Sequence, residues 1–594
     1  MGAATRIAGK VAHLHKFTRP GRPISAVEFS KVWNGIWLKS LESGVDANRR
    51  PTIGLAISGG VDSMALAFLC SSMKERLSVE NRVVDFRAFV VDHGVRDGSD
   101  IEAQAVSKSL EKRGIPTQVL KLEWPSSLHT SGLPNFESSA RKYRFRTLGK
   151  ACSEWGINSL FLAHHEDDQV ETIMMRLMDG HRMGLTGIKD HSEIPECYGI
   201  HGVHESGGLE IKAREELIKH QTTCHENTTP LRDHPIEEWS PQLTPETGGV
   251  RVYRPLLGFS KARLIATCKE NNVEWFEDDT NKDRTLTKRN AIRHMRASYS
   301  LPKALSKQSL LALSTSMKQQ EQRRRDVLEE WLSKCCITSV DLQVGTVEVK
   351  FADLNQFREI PSWPGEKAGQ IAAELLRRII MLVTPHEHVS ISSLHGAVSR
   401  LFPELSGDEP RSGSFTVCGV YFQPVQHDAF DRESLEHDLK PTWHISRQPF
   451  GSNELTKHVL AFPPTLSPLW SPWQLFDGRY WIRIKNASSS IALIQPLSSA
   501  RWPKFKAELG QQRNRALKIV KGKAAGGVRY TLPSLVLRSK VTSSKEEDRA
   551  VALPTLGISL AEIEELKEVE FEVRYKKIHT AGLPMVDEKS TFLQ

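Results

Sequence analysis

Six residues, Ser58-Gly59-Gly60-Val61-Asp62-Ser63, follow the apolar run Thr52-Ile53-Gly54-Leu55-Ala56-Ile57 and lead into Met64-Ala65-Leu66-Ala67. A buried strand, a glycine-rich turn and a helix start in that order make an anion site. The glycines let the backbone turn tightly and approach a phosphate, the free amides and helix dipole attract negative charge, and Ser58 and Ser63 add hydroxyl donors. No lysine follows the glycines. A G-x-x-x-x-G-K-[ST] loop sets that lysine on the β- and γ-phosphates, so its absence, with Asp62 standing in the turn, argues against an ordinary P-loop nucleotide hydrolase.

A second cluster is His164-His165-Glu166-Asp167-Asp168-Gln169-Val170-Glu171-Thr172. Asp168 and Glu171 are spaced i,i+3, and Asp167 and Glu171 i,i+4, so the carboxylates share a helix face and repel unless a cation, Mg²⁺ or a substrate ammonium, sits among them. Capping offers a plainer account, with Asp168 as N-cap and Glu171 three residues on. The histidines at a strand's carboxyl end, where α/β sites lie, favour the functional account. A third stretch, Trp275-Phe276-Glu277-Asp278-Asp279-Thr280-Asn281-Lys282-Asp283 followed by Arg289-Asn290 and Arg293-His294, reads by itself as a solvated acidic turn entering a basic helix.

These residues need a scaffold, and between Pro51 and Asp190 short β-rich runs alternate with helical stretches, the pattern of a doubly wound parallel α/β sheet. Strands are expected over 52–57, 83–91, 117–122 and 159–163, and helices over 63–76, 100–113, 135–150 and 168–178. From about 190 to 250 the sequence turns polar, and a loop-like insertion is expected. It holds His191, His201, His204, His220, His225 and His234 with Cys197 and Cys224, but no recognised zinc spacing. A helix over 261–271, a charged helix over 302–334 and mixed α and β elements beyond 340 complete the reading. The domain boundaries expected are a basic extension over 1–45, a catalytic domain over 46–300, a helical linker over 301–340, a mixed α/β region over 341–480 and a C-terminal domain over 481–594.

Composition narrows the classes. The chain has 594 residues, 39% hydrophobic and 25% charged, and no apolar run of the ~18 residues a membrane helix needs, so no membrane is expected. The net charge of +9 suggests an anionic partner. Eight cysteines without C-x-x-C spacing exclude a disulfide framework or a zinc ribbon. Arg6, Lys10, Lys16, Arg19 and Arg22 precede the first acidic residue, Glu28, as in a mitochondrial transit peptide or an RNA-binding tail.

Ser58–Ser63 resembles the pyrophosphate loop (PP-loop) of the ATP pyrophosphatases, which have an adenine nucleotide alpha hydrolase-like fold. The loop, H-x-x-D-D-x-x-E-T, the Gly184-Leu185-x-Gly187 turn, Arg254-Pro255-Leu256-Leu257 with a following Ser-Lys-x-Arg helix, and the Glu277…Asp283, Arg289-Asn290 stretch occur in the order seen in tRNA(Ile)-lysidine synthetases. Asn135-Phe136-Glu137 with Ala140-Arg141 and Arg144-Phe145 resembles another helix of that family, Phe145 replacing a tyrosine. Val91-Asp92-His93-Gly94 resembles its second strand, though Asp92 departs from the pattern there. Arg529–Pro533 and Leu553–Gly557 loosely resemble its C-terminal domain.

The resemblance implies adenylation of the wobble cytidine in a CAU-anticodon tRNA(Ile), followed by attack of the L-lysine ε-amine to give lysidine with release of AMP and pyrophosphate. ATP and Mg²⁺ are the implied cofactors. Ser58, Gly59, Gly60, Val61, Asp62 and Ser63 would bind ATP, with Asp62 on Mg²⁺. Asp168 and Glu171 would take lysine's cationic groups, Arg289 its carboxylate, and His165 would assist proton transfer. The division of roles among His164, His165, Asp167 and Asp168 stays open. For tRNA, Arg141, Arg144, the Arg323–Arg325 run and the basic segment 501–523, with Trp502 and Phe505 for stacking and Lys518, Lys521 and Lys523 for phosphates, are the candidates. Lysidine decoding together with the basic extension implies a mitochondrial form, with a cytoplasmic one as the other choice. A homodimer is left open. The rivals are a tRNA 2-thiolation enzyme, which would use paired cysteines where only Cys335-Cys336 are adjacent, and an inactive tRNA-binding protein keeping the fold.

Overall fold

A computed structural model of the chain describes residues 21–41, 51–79, 84–94, 98–124, 136–180, 182–204, 243–276, 287–354, 368–405, 413–425, 440–465, 469–539, 547–560 and 564–578. The chain divides into two compact units, residues 1–208 with 248–321, and residues 209–247 with 322–594.

The first unit is built on a six-stranded sheet in the order β3-β2-β1-β4-β6-β5. Its strands are β1 (Thr52–Ile57), β2 (Asp85–Asp92), β3 (Thr117–Lys121), β4 (Ser159–Phe161), β5 (His191–Glu193) and β6 (Arg251–Tyr253). All pair in parallel except β5, which runs antiparallel to β6. The near-continuous apolar character of β1 and β2 is what a parallel sheet covered on both faces demands. Among the described residues, helices α1 (Ala26–Leu41), α2 (Val61–Val79), α3 (Ser99–Glu111), α4 (Phe136–Glu154), α5 (Glu166–Met178), α6 (Lys261–Glu270) and α7 (Lys288–Ser298) belong to the unit. The run Met64-Ala65-Leu66-Ala67 in α2 is wholly buried. Strand order reverses between β1 and β4, so the carboxyl ends of those two strands open the crevice where α/β proteins bind ligands.

Several expected boundaries shift. The helix after the loop starts at Val61 instead of Ser63, because the Gly60 carbonyl already accepts Met64 N–H at 3.0 Å. Helix α5 starts at Glu166 with His165 as N-cap, so the Asp168 N-cap account is incorrect. The basic extension does not reach residue 45: Phe29 and Trp33 of α1 lie in the core, Trp33 edge-on to Phe86 and Phe161. Arg263 of α6 holds Glu28 at 2.9 Å and donates to the Arg22 and Pro23 carbonyls.

The insertion over 190–250 is not all loop. Ile194, Cys197 and Val203 are buried with Phe145, Leu148 and Cys152 of α4. Residues 205–242 lie outside the described residues. Leu243–Thr247 belong to the second unit: Glu246 N–H donates to the Tyr575 carbonyl at 2.7 Å, Tyr575 N–H to Thr244, and Trp481 Nε1 to Glu246 Oε2.

Helix α8 (Lys307–Ser333) carries the chain into the second unit, whose described residues form two five-stranded antiparallel sheets and one of three strands. The expected boundary at 480 fails. Strand β7 (Gln474–Phe476) pairs across it with β8 (Tyr480–Asn486), and one hydrophobic core joins Leu243 with residues from Leu328 to Ile578. The helix over 301–340 is no free linker, since Leu328, Trp331 and Leu332 are part of that core. No described helix is long and apolar enough to cross a membrane.

Candidate functional site

The glycine-rich turn leaves β1 and closes on itself. Ser63 Oγ accepts Ser58 N–H at 3.3 Å and donates to the Gly60 carbonyl at 2.9 Å. Gly59 has φ +83°, and a Cβ there would lie 2.6 Å from Val106 Cγ2. Two constraints therefore require glycine, a left-handed backbone and a close neighbour. Phe276 N–H clamps the turn from outside by donating to the Gly59 carbonyl at 2.9 Å.

The end of β4 supplies the facing wall. His165 Nδ1 accepts Asp167 N–H at 3.2 Å and Asp168 N–H at 3.4 Å, while Asp168 Oδ2 accepts His165 N–H at 3.0 Å. This reciprocal cap fixes the imidazole with Nε2 toward Asp62 Oδ2, 3.4 Å away, so the β1 and β4 motifs meet at one carboxylate. Lys261 Nζ reaches the same oxygen at 3.3 Å. Burial works against the Asp62 charge, but the His165 hydrogen bond and the charges of His165 and Lys261 outweigh it and hold the carboxyl below its usual range. Burial would lower His165, yet the Asp62 hydrogen bond and the Asp168 and Asp62 charges raise it. His164 goes the other way, pushed down to about 4 by burial first and then by Arg254, Arg289 and Arg141 against the pull of Asp168. The adjacent histidines are therefore shifted in opposite directions, His164 down and His165 up.

The acidic face of α5 meets a basic face of α7. Arg293 Nε lies 2.7 Å from Glu171 Oε1 and Arg293 Nη2 3.5 Å from Asp168 Oδ1. Arg289 Nε is 3.5 Å from Glu171 Oε2, and Arg296 Nη2 3.5 Å from Asp167 Oδ1. Lys307 bridges Glu166 and Asp167 at 2.8 and 3.0 Å. Asp167 Oδ2 accepts Lys261 N–H at 2.9 Å, which makes Asp167 a positioning residue for α6. Asp168 divides its oxygens between the helix cap and Arg293. Four buried polar atoms around the crevice have no hydrogen-bond partner among the described residues: Asp62 Oδ1, His164 Nδ1, Glu171 Oε2 and Arg289 Nε.

The candidates Ser58, Gly59, Gly60, Val61, Asp62, Ser63, His164, His165, Asp168, Glu171 and Arg289 thus fall at the ends of β1 and β4 and on the facing turn of α7. Residues 277–286, with the acidic part of the third stretch, lie outside the described residues. Arg293, Lys261 and Lys307 were not foreseen as site residues. The spacing Arg289, Arg293, Arg296, one helix face, was the signal for the first.

The expected tRNA residues scatter. The Arg141 and Arg144 guanidinium groups lie 4.7 and 5.5 Å from the Phe145 ring centroid in the first unit. In the second, Lys518 and Lys521 line a shallow groove with Asn514, Leu517 and Gly522 on the helix Arg513–Lys523. Other expected contacts are engaged within the unit. Lys523 Nζ turns inward to Gln343 and Asp341. Arg324 of the Arg323–Arg325 run pairs with Glu374 at 2.9 Å, which takes that one guanidinium out of the run, while Arg323 and Arg325 are exposed. Trp502 and Phe505 are core residues with no face for a base. Cys335 is buried and its thiol raised, chiefly by burial, which removes it as half of a reactive pair.

The sequence matches the PP-loop domain family over residues 37–201 and 240–297. A probable tRNA(Ile)-lysidine synthase of Schizosaccharomyces pombe is 28% identical over 512 residues, 85% of this chain and 91% of that protein. The tRNA(Ile)-lysidine synthase of Chlamydia caviae is 37% identical over 236 residues, 39% of this chain and 70% of that protein. Among solved structures, a U34-tRNA thiolase of Methanococcus maripaludis overlays with a TM-score of 0.30 at 12% identity, covering 50% of this chain and 80% of that one, an overlap that supports no inference about chemistry.

Proposed function

This chain belongs to the tRNA(Ile)-lysidine synthase family, and we propose how its site carries out that family's ATP-dependent ligation. The reaction joins lysine to the wobble cytidine of a CAU-anticodon tRNA(Ile). The cytidine C2 oxygen attacks the α-phosphate of ATP and pyrophosphate leaves. The lysine ε-amine then attacks C2 and AMP leaves.

The turn Ser58–Ser63 receives the pyrophosphate portion of ATP, its amides and the α2 dipole facing the charge that builds as the leaving group departs. Asp62 Oδ1, buried and without a partner, would hold Mg²⁺, which binds through one or two carboxylates plus substrate phosphates, and the described residues contain no cluster of three or more ligands that would cage a metal alone. Mg²⁺ when bound would neutralise the developing phosphate charge. His165, its Nδ1 taken up by the helix cap, presents its Nε2 proton to Asp62 and orients that carboxylate beside the turn.

The observation that carries the lysine assignment is the pair of unsatisfied atoms, acceptor Glu171 Oε2 beside donor Arg289 Nε at 3.5 Å. The two face each other in an ion contact that is not a hydrogen bond, so a ligand that gives each atom an aligned partner is favoured. An α-amino acid is such a ligand, its ammonium on Glu171 and Asp168 and its carboxylate on Arg289.

The test is incorporation of labelled lysine into a CAU-anticodon tRNA transcript with ATP. Lysine-dependent release of AMP and pyrophosphate supports the reading. Modification without lysine would favour thiolation, and tRNA binding with no ATP turnover would favour an inactive binder. For tRNA, Arg141, Arg144, Lys518 and Lys521 are the proposed phosphate contacts. For location, the basic residues before Gly21 support a mitochondrial address.

A further inference from the structure

The glycine-rich turn lacks the lysine that P-loops carry, yet an ammonium stands at it. Lys261 is the first residue of α6, and its Nζ lies 3.3 Å from Asp62 Oδ2 in the first turn of α2. We infer that Lys261 is a pyrophosphate-binding residue of this reaction, supplying from α6 the cation that the turn does not contain.

Its placement is rigid at one end and free at the other. Lys261 N–H is held by Asp167 Oδ2 at 2.9 Å, α6 is tied to Glu28 through Arg263, and Cys268 Sγ contacts the Val61 carbonyl at 3.6 Å. The side chain itself is 46% exposed. A pair so exposed stabilises a fold by about 0–1 kcal/mol, so the ammonium can leave Asp62 for a phosphate oxygen at little cost.

The charges around Asp62 point the same way. One of its oxygens faces the Lys261 ammonium at 3.3 Å and the His165 Nε2 at 3.4 Å, while the other has no partner among the described residues. The ammonium thus stands at the mouth of the turn, beside amides already suited to phosphate. Moving Lys261 onto the leaving pyrophosphate would also free Asp62 Oδ2.

The inference rests on the ATP-dependent reaction proposed above, and wild-type turnover separates the two. If the wild type releases no pyrophosphate with tRNA, ATP and lysine, that reaction is wrong. With an active wild type, Lys261→Met is expected to raise the ATP KM and the inhibition constant of added pyrophosphate about tenfold to a hundredfold, the effect of losing one charged hydrogen bond, with the lysine KM unchanged. Lys261→Arg, still cationic, is expected to recover most of both. A Lys261→Met enzyme that is slower yet inhibited by pyrophosphate as the wild type is, at saturating Mg²⁺, overturns the inference, because removing the Asp62 ion pair alone would not change product affinity. So does Lys261→Arg behaving like Lys261→Met while both melt with the wild type.

Discussion

Arg293 Nε lies 2.7 Å from Glu171 Oε1, a carboxylate whose side chain is only 4% exposed. Helix α7 thus brings a guanidinium to the acidic face of α5, the proposed lysine-binding face. Arg293→Gln removes one partner of a buried charge and is expected to cost about 1–3 kcal/mol, the lower part of the usual range because the arginine itself is 35% exposed. Thermal melting checks it, and an unchanged midpoint would show that Arg289 alone suffices for Glu171.

Glu171→Gln keeps the shape and removes the charge. The lysine KM should rise at least about tenfold, the weight of one charge-assisted hydrogen bond, with the ATP KM unchanged. Steady-state kinetics against each substrate separate the two, and an unchanged lysine KM would end the assignment.

His164 makes stability depend on pH. Its folded-state pKa is pushed down to about 4, mainly by burial, whereas the unfolded imidazole titrates near its ordinary 6.5. Between those values the unfolded chain binds the extra proton, so the native state weakens as pH falls from 6.5 toward 4. His165, raised in the folded state, works in the opposite sense, stabilising below the ordinary value and losing that contribution as pH rises through its raised one. His164→Asn, which cannot titrate, should show a flatter fall in melting temperature on the acid side, and an identical slope would place the acid sensitivity elsewhere.

At Gly59 an added methyl meets Val106 Cγ2 at 2.6 Å on a backbone with φ +83°. Gly59→Ala should abolish ATP-dependent AMP release and cost about 1–3 kcal/mol of stability. Adding Val106→Ala relieves the clash but leaves the backbone strain, so part of the stability should return while the activity does not.

Charge reversal at Lys518 and Lys521 should flatten the dependence of tRNA affinity on salt by about 0.7–0.9 for each phosphate no longer neutralised. Lys523→Glu should change the slope less and the melting temperature more, since its ammonium is turned to Gln343 and Asp341. Equal slopes for all variants would remove this helix from the interface.

For the mitochondrial reading, a reporter carrying residues 1–25 tests the basic segment without α1. Import is expected with these residues and loss of import when Arg6, Lys10, Lys16 and Arg19 become Gln. A cytosolic reporter would refute it.

The catalytic turn and the His164–Glu171 cluster were legible because both are local: strand, turn and helix start succeed one another in sequence, and the sheet order needs only right-handed crossovers to bring their ends together. Their cations were harder to see. Lys261 and Arg293 come from helices roughly a hundred or more residues downstream, and spacing shows that they share a helix face without showing which carboxylates that face meets. Capping misled in a similar way. Asp168 with Glu171 has the spacing of a cap, but His165 accepts the amides, a role rarely given to histidine. Trp502 and Phe505 sit among lysines and arginines, where aromatic residues read as a stacking surface, yet they bury the inner face of a short helix. The boundary placed at 480 cut a hairpin, since nothing in a polar turn says whether the strands beside it pair with each other.

The five residues Leu243–Thr247 have a consequence for synthesis. Their hydrogen-bonding partner Tyr575 leaves the ribosome roughly 330 residues later, tens of seconds at ~5–20 residues per second. Until then the Glu246 carboxylate and its backbone amide wait without Trp481 and Tyr575. A nascent chain stopped at 321, the end of the first unit, would carry these unmatched groups in its middle, so co-translational folding of that unit must proceed around a segment whose place does not yet exist.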